Sequence, residues 1–136
     1  MGVMAKDRPI RTEFWAYKRY TLASGKKAYK GGIAVYDESA AAVIPGEAQT
    51  DLFVLGLFDE QVDATSAAKP VNVQLKKEVR IRWFPNDGTN PVLATDIGKS
   101  VYLVNDQDVS ILSTGRSVIG IAWAIDTVKG VAVEMV

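Results

Sequence analysis

The run "DIGKSVYLVNDQDVSILSTGRSVIGIAWAIDTVKGVAVEMV", Asp96 to Val136, reads as four strands separated by three turns. Val101, Leu103 and Val104 follow Gly98, Val109 and Ile111 flank Ser110, and Val118 to Ile125 is one long apolar segment. Val131, Val133 and Met135 alternate with Ala132 and Glu134, which places the three on one face of a half-buried strand. Asn105-Asp106, Ser113-Thr114-Gly115 and Lys129-Gly130 supply the small and polar residues that tight connections need. The pattern predicts an antiparallel β unit with one buried face.

Working back from that run, "VNVQLKKEVRIRWF" (Val71 to Phe84) carries a second strong β signal. Val71, Val73, Leu75, Val79, Ile81 and Trp83 share one parity, and Asn72, Gln74, Lys76, Glu78, Arg80 and Arg82 share the other. Lys77 interrupts the apolar face and predicts a bulge or bend. Trp83 and Trp123 fall on apolar strand faces and are expected in the core. "PNDGTNP" (Pro85 to Pro91) is dense in turn formers, with Asp87-Gly88 as a hairpin signal dividing the two halves. "DLFVLGLF" (Asp51 to Phe58) is an apolar strand in which Gly56 marks a bulge or a close approach of another backbone. Residues 59–70 read as an acidic, Ala/Ser/Thr-rich loop.

The halves echo each other. "GIAVY" (Gly32 to Tyr36) matches "GKSVY" (Gly98 to Tyr102), "VLGLF" (Val54 to Phe58) matches "VIGIA" (Val118 to Ala122), and "VNVQL" (Val71 to Leu75) matches "VAVEM" (Val131 to Met135). The fold class expected is all-β: a single compact antiparallel β-barrel or sandwich over residues 14–136, with half-repeats at about 28–84 and 92–136 and an extended arm over residues 1–13.

Composition excludes several chemistries. The chain has 136 residues, enough for one domain with a real core, and its 48% hydrophobic and 24% charged residues are ordinary for a globular protein. It has no Cys and no His, so disulfides, thiolate or imidazole metal sites, cysteine nucleophiles and histidine bases are all excluded. The acidic pairs Asp37-Glu38, Asp59-Glu60 and Asp106/Asp108 sit in turn-like segments where carboxylates are expected anyway. Gly98-Lys99-Ser100 ends like a phosphate loop, but Leu93 stands where the upstream Gly is required. "NDQD" at Asn105 to Asp108 is too short for a calcium loop. Neither an enzyme nor a cofactor is expected, and no segment has the roughly 20 apolar residues of a membrane helix. The charged start "MGVMAKDRPIRTEFW" lacks the apolar core of a secretion signal.

The net charge is zero but unevenly spread. Residues 1–30 hold eight cationic and two acidic side chains, a net of +6, so the remainder carries −6. About 11 extended residues span roughly 35 Å, enough to clasp a neighbour. In "TEFWAYKRY" (Thr12 to Tyr20), aromatic and cationic side chains interleave. Arg8, Arg11, Phe14, Trp15, Tyr17, Lys18, Arg19 and Tyr20 are therefore the expected partner-contact residues, since Trp, Tyr and Arg dominate protein interfaces. Interleaving of this kind also occurs on nucleic-acid stacking surfaces, but a neutral chain is a poor nucleic-acid binder, and no direct nucleic-acid partner is expected.

The order of these segments resembles the small capsid decoration, or cement, proteins of tailed phages and prophages over residues 14–136. The shared cues are the Tyr29-Lys30-Gly31 turn before the first core strand, the Asp-x-Gly-Lys opening at Asp96 to Lys99, the turn from Val104 to Gln107, a Gly-containing apolar strand, and the closing Gly-Val-x-Val-Glu at Gly130 to Glu134. The resemblance implies a structural virion protein on the outer surface of the capsid. It would clamp neighbouring major capsid protein subunits and stabilise the mature head. Its other partner would be itself, with a homotrimer favoured over a homodimer. The rival expectations are another virion β-barrel, from a tail or head-completion protein, and a carbohydrate- or nucleic-acid-binding β module.

Overall fold

The computed structural model describes residues 3, 5, 6, 13 and 15–136. The fold is all-β, as the alternation of apolar and polar residues requires. The first sheet comprises β1 (Tyr17–Leu22), β3 (Ile33–Asp37), β4 (Ala42–Pro45), β5 (Phe53–Phe58) and β7 (Lys69–Leu75), in the order β4-β3-β5-β7-β1. It closes into a barrel where Leu22 of β1 meets Val43 of β4 in parallel. The second sheet comprises β8 (Ile81–Phe84), β9 (Ser100–Leu103), β10 (Val109–Ser110), β11 (Val118–Asp126) and β12 (Gly130–Met135), in the order β10-β9-β11-β12-β8. A small ribbon, β2 (Lys27–Ala28) on β6 (Val62–Asp63), gives partial structure to what reads in sequence as a loop over 59–70.

The two sheets have one topology. Taken in chain order within its own unit, each has its third strand beside its second, then its fourth, fifth and first. Even the closure repeats. Ala23 N–H donates to Val43 O at 2.9 Å in the first unit, and Asp87 N–H donates to Val109 O at 2.8 Å beside the parallel Asn86–Val109 bridge in the second. The pairing corrects the sequence echo by one residue. Gly56 faces Ala34, whereas its counterpart Gly120 faces Val101, so Val35 corresponds to Tyr102 rather than to Val101.

Both units bend at the same glycine. A Cβ on Gly56 would stand 1.9 Å from Gln74 O, and one on Gly120 would stand 2.0 Å from Glu134 O. Only glycine lets the neighbouring strand come this close. The register slips beside each glycine, so inward residues fall three apart: Leu55 and Phe58 in β5, Ile119 and Ala122 in β11. Strict alternation fails at these points because a bulge inserts one residue.

Two cores result. Leu22, Ala34, Val43, Leu55, Phe58, Val71 and Val73 fill the barrel. The outward side chains of β3, β4 and β5, among them Ile33, Val35, Ile44, Val54 and Leu57, join Phe84, Val101, Leu103, Val109, Ile119, Val131 and Val133 of the second sheet in one larger cluster. Each fully buried Leu, Ile or Phe contributes about 1.5–3 kcal/mol to holding the two units together.

The run Val71 to Phe84 is two strands, not one. The helical turn α1 (Lys76–Val79) intervenes, and Arg80, at φ 60°, reverses the chain into the second sheet. The bend expected at Lys77 is thus the passage between sheets, and the units divide there rather than at Pro85 to Pro91. Asp87-Gly88 closes no hairpin, because β8 pairs with β12. The Asp87 carboxylate instead accepts Thr89 N–H at 3.1 Å and shapes a loop. The reversal also moves Ile81 and Trp83 off the buried face that Val71 and Val73 occupy. Trp83 is 39% exposed and Trp123, lifted by a second register shift in β11, is 55% exposed. The expectation that both belong to the core is therefore wrong.

Candidate interaction surfaces

The residues expected to contact a partner divide into three groups. Arg8, Arg11 and Phe14 lie outside the described residues. Tyr17, Lys18, Arg19 and Tyr20 belong to β1, which pairs with β7 along its whole length, from Tyr17–Gln74 to Leu22–Lys69. These four are built into the barrel wall as a strand, the β-strand with interface anchors that the interleaved pattern suggests. Pairing puts Lys18 and Tyr20 opposite the inward Val73 and Val71, and Tyr20 packs against the barrel core. Burial raises the Tyr20 phenol above its ordinary pKa, so it stays neutral. Tyr17 and Arg19 face outward, with Arg19 Nη1 3.7 Å from Glu60 Oε2, an exposed pair of little energetic weight. Trp15 precedes the strand and is exposed.

Around Trp15 the structure assembles a patch that was only partly legible. A cleft of about 300 Å³ is lined by Glu13, Trp15, Tyr20, Phe53, Leu75 and Lys76, among others. Lys18 Nζ lies 4.2 Å from the Trp15 ring centroid, and Lys76 Nζ lies 4.2 Å from that of Phe53. Each cation sits over an aromatic face and is held there by the ring quadrupole. Burial, and then the neighbouring Lys77, lowers the Lys76 pKa. Phe53, 59% exposed at the start of β5, was missed because its strand is apolar along its length and offers no signal that one end is exposed. The patch suits an apolar or anionic partner.

A second surface is the outer face of the second sheet. Ala132 pairs with Trp83, Glu134 pairs with Ile81 and Ile121, and Val118 pairs with Tyr102, so these side chains share one face across β9, β11, β12 and β8. The Trp123 indole N–H donates to Glu134 Oε1 at 2.9 Å, and Lys129 Nζ lies 5.3 Å from the Trp83 ring centroid. Ala132, between the aromatic strands, is only 4% exposed, although it points outward. Ile81, Trp83, Val118 and Trp123 are all exposed on this face, with Glu134 among them, and exposed apolar groups of this size mark interaction sites.

The remaining polar features are structural. Asn105 Oδ1 accepts Gln107 and Asp108 N–H, and Asp126 Oδ1 accepts Val128 and Lys129 N–H. These main-chain bonds, Lys129's first, lower the Asp126 pKa. Arg116 Nη1 lies 3.6 Å from Asp87 Oδ2, with both side chains largely covered. Asp87 is held below the usual carboxylate range, chiefly by Thr89 N–H. Among the described residues, no group of three or more acidic side chains is placed to hold a metal ion. Compared with protein-family models, curated proteins and solved structures, the chain matches none.

Proposed function

We propose that the chain is a structural virion protein that binds the outer surface of a phage head and clamps neighbouring major capsid subunits. The observation that carries the reading is the aromatic–cationic patch of Trp15, Tyr17, Lys18, Phe53 and Lys76 at the point where the N-terminal segment enters the barrel. Residues 1–30 carry a net charge of +6, most of it on Lys18, Arg19, Lys26, Lys27 and Lys30 in and after the strand that borders this patch. Apolar anchors there supply affinity, and the cations steer it onto an acidic lattice. A partner that binds only the assembled lattice stabilises that lattice by mass action, and many copies add avidity. Because β1 begins at Tyr17, a truncation that tests the N-terminal contact must spare the strand. A chain lacking residues 1–13 keeps its β signal by circular dichroism and fails to co-sediment with expanded empty heads of the phage that encodes it. Normal co-sedimentation refutes the N-terminal contact. Copy number then separates decoration, at hundreds per head, from a connector or tail ring at about 6–12, as closed rings require.

The exposure of Trp83 and Trp123 favours a second reading, a carbohydrate-binding β module. Two indoles beside Glu134 on a sheet face offer stacking planes and a hydrogen-bond acceptor. Quenching of tryptophan fluorescence by soluble glycans, lost in Trp123→Ala, would establish it.

A further inference from the structure

The second sheet has an open edge along β8. Met135 N–H donates to Arg80 O at 2.9 Å, and the same register runs from Glu134–Ile81 to Val131–Phe84. Antiparallel ladder bonds fall on every second residue, so Arg82 and Phe84 bond to β12, while the N–H and C=O groups of Ile81 and Trp83 point away from it. On that far side β10 meets the chain only beyond Trp83, where Val109 N–H donates to Pro85 O at 3.1 Å and Asp87 N–H donates to Val109 O at 2.8 Å. Among the described residues no strand pairs with Ile81 to Trp83 there, which leaves their main-chain donors and acceptors for a further strand.

The side chains along this edge define what that strand must carry. Ile81 and Trp83 stand exposed on the outer face. Arg82 stands on the other face, opposite Val133, and is also exposed. Where the edge begins, Lys76, Lys77 and Arg80 line a cleft of about 410 Å³ with Ile81, Glu134 and Met135. Among the described residues none of these four cations is ion-paired, since the ion pairs use Arg19, Lys99 and Arg116. Glu134 is engaged instead with the Trp123 indole. A strand laid here therefore meets apolar groups on one face and unopposed positive charge on the other. Self-pairing does not meet this need. A two-fold β8–β8 ladder using the N–H and C=O groups of both Ile81 and Trp83 would set the two copies of Arg82 directly opposite each other, and like charges so placed are destabilising.

We infer that the open edge of β8 takes up an extended acidic segment of a partner protein, as an added strand whose residues alternate between apolar and carboxylate. Its apolar side chains continue the outer face beside Ile81 and Trp83, and its carboxylates lie on the opposite face beside Arg80 and Arg82. Main-chain bonds supply the affinity, and the alternation supplies the specificity. The edge is separate from the patch of Trp15 and Phe53, so this contact and the proposed capsid contact can fail independently.

The test is amide hydrogen exchange of the full chain, read residue by residue by NMR. Local readout matters because β1 turns Tyr17 and Arg19 off β7 in the same way, as Leu75 N–H donates to Ala16 O. In the chain alone, the Arg82 and Phe84 amides are protected and those of Ile81 and Trp83 exchange rapidly. A short alternating glutamate–valine peptide slows exchange at Ile81 and Trp83 by at least about tenfold. A peptide of the same composition in two blocks, an alternating lysine–valine peptide, and the glutamate–valine peptide N-methylated along its backbone all leave both amides unchanged. Arg82→Glu weakens binding of the glutamate–valine peptide by at least about tenfold. Should that variant lose its β signal by circular dichroism, Arg82→Gln replaces it, and the three control peptides need no variant. Protection of Ile81 and Trp83 in the chain alone overturns the inference, because the edge is then already covered. So does an equal effect of the alternating and block peptides, which is the result of charge attraction without strand addition, or no change at either amide.

Discussion

The barrel and the second sheet share a strand order, a bulge and a mode of closure, yet they fill their interiors differently. Where the barrel sets small Ala34 beside large Phe58, the second sheet sets Val101 beside Ala122. Tyr36 gives way to Leu103, and the apolar pair Ala23 and Leu52 gives way to the ion pair of Asp87 and Arg116. The topology survives these exchanges because it depends on register and on the close backbone approach at Gly56 and Gly120. Core volume is redistributed between neighbouring positions. The outer faces differ more consequentially: the first is covered by the second unit, and the second is left to solvent.

The glycines are the sharpest way to break the comparison. Gly56→Ala and Gly120→Ala each force a Cβ into a carbonyl oxygen of the adjacent strand, and each is expected to cost more than about 4 kcal/mol or to abolish folding. A bulge that is merely local would instead make the two losses unequal, and urea melts decide between these outcomes. Next in size, Phe58→Ala empties the barrel interior and costs about 3–5 kcal/mol. The second unit already holds alanine at the equivalent place, so Ala122→Gly should cost only about 1 kcal/mol.

The ion pair belongs to the second unit alone. Arg116→Ala leaves Asp87 largely covered and without its cation, for a loss of about 2 kcal/mol; the pair is not fully buried and so falls below the usual range. Asp87, Asp96 and Asp126 all have lowered pKa values, with main-chain N–H donors as the first cause in each case. Groups depressed by folding stabilise the fold above their unfolded pKa, and that stability is lost as pH falls through the folded value. Thermal melts should therefore be flat near neutrality and decline below about pH 4. Asp63 of the first unit is lowered too, chiefly by the Thr65 hydroxyl, so local hydrogen exchange should rise in both units, and more in the second, which holds three of the four carboxylates.

The smallest expected effect concerns the exposed face. Trp83→Ser and Trp123→Ser are each expected to cost about 1 kcal/mol, because each indole keeps only part of its surface covered. All three tryptophans of the chain are exposed, so acrylamide should quench them in the folded state. Two protected indoles would mean that the face is covered in solution.

The sequence by itself determined the β class, the strand–turn succession of the last 41 residues and the presence of a repeat. Period-two alternation and turn chemistry are local, and each strand carries its own. It also marked Gly56 and Lys77 as places where a strand could not run straight. Tertiary structure alone decided which face of each strand looks inward beyond Lys76. One helical turn and one positive-φ residue reset the parity, exposing Trp83 and sending β8 to β12. It also decided that the strand of Tyr17 to Tyr20 closes a barrel against β7 and that Phe53, in a strand apolar throughout, stands at a surface cleft. Side-chain periodicity fixes only relative orientation along one strand, whereas the choice of partner strand depends on pairings between residues about 50 positions apart, such as Trp83 with Ala132.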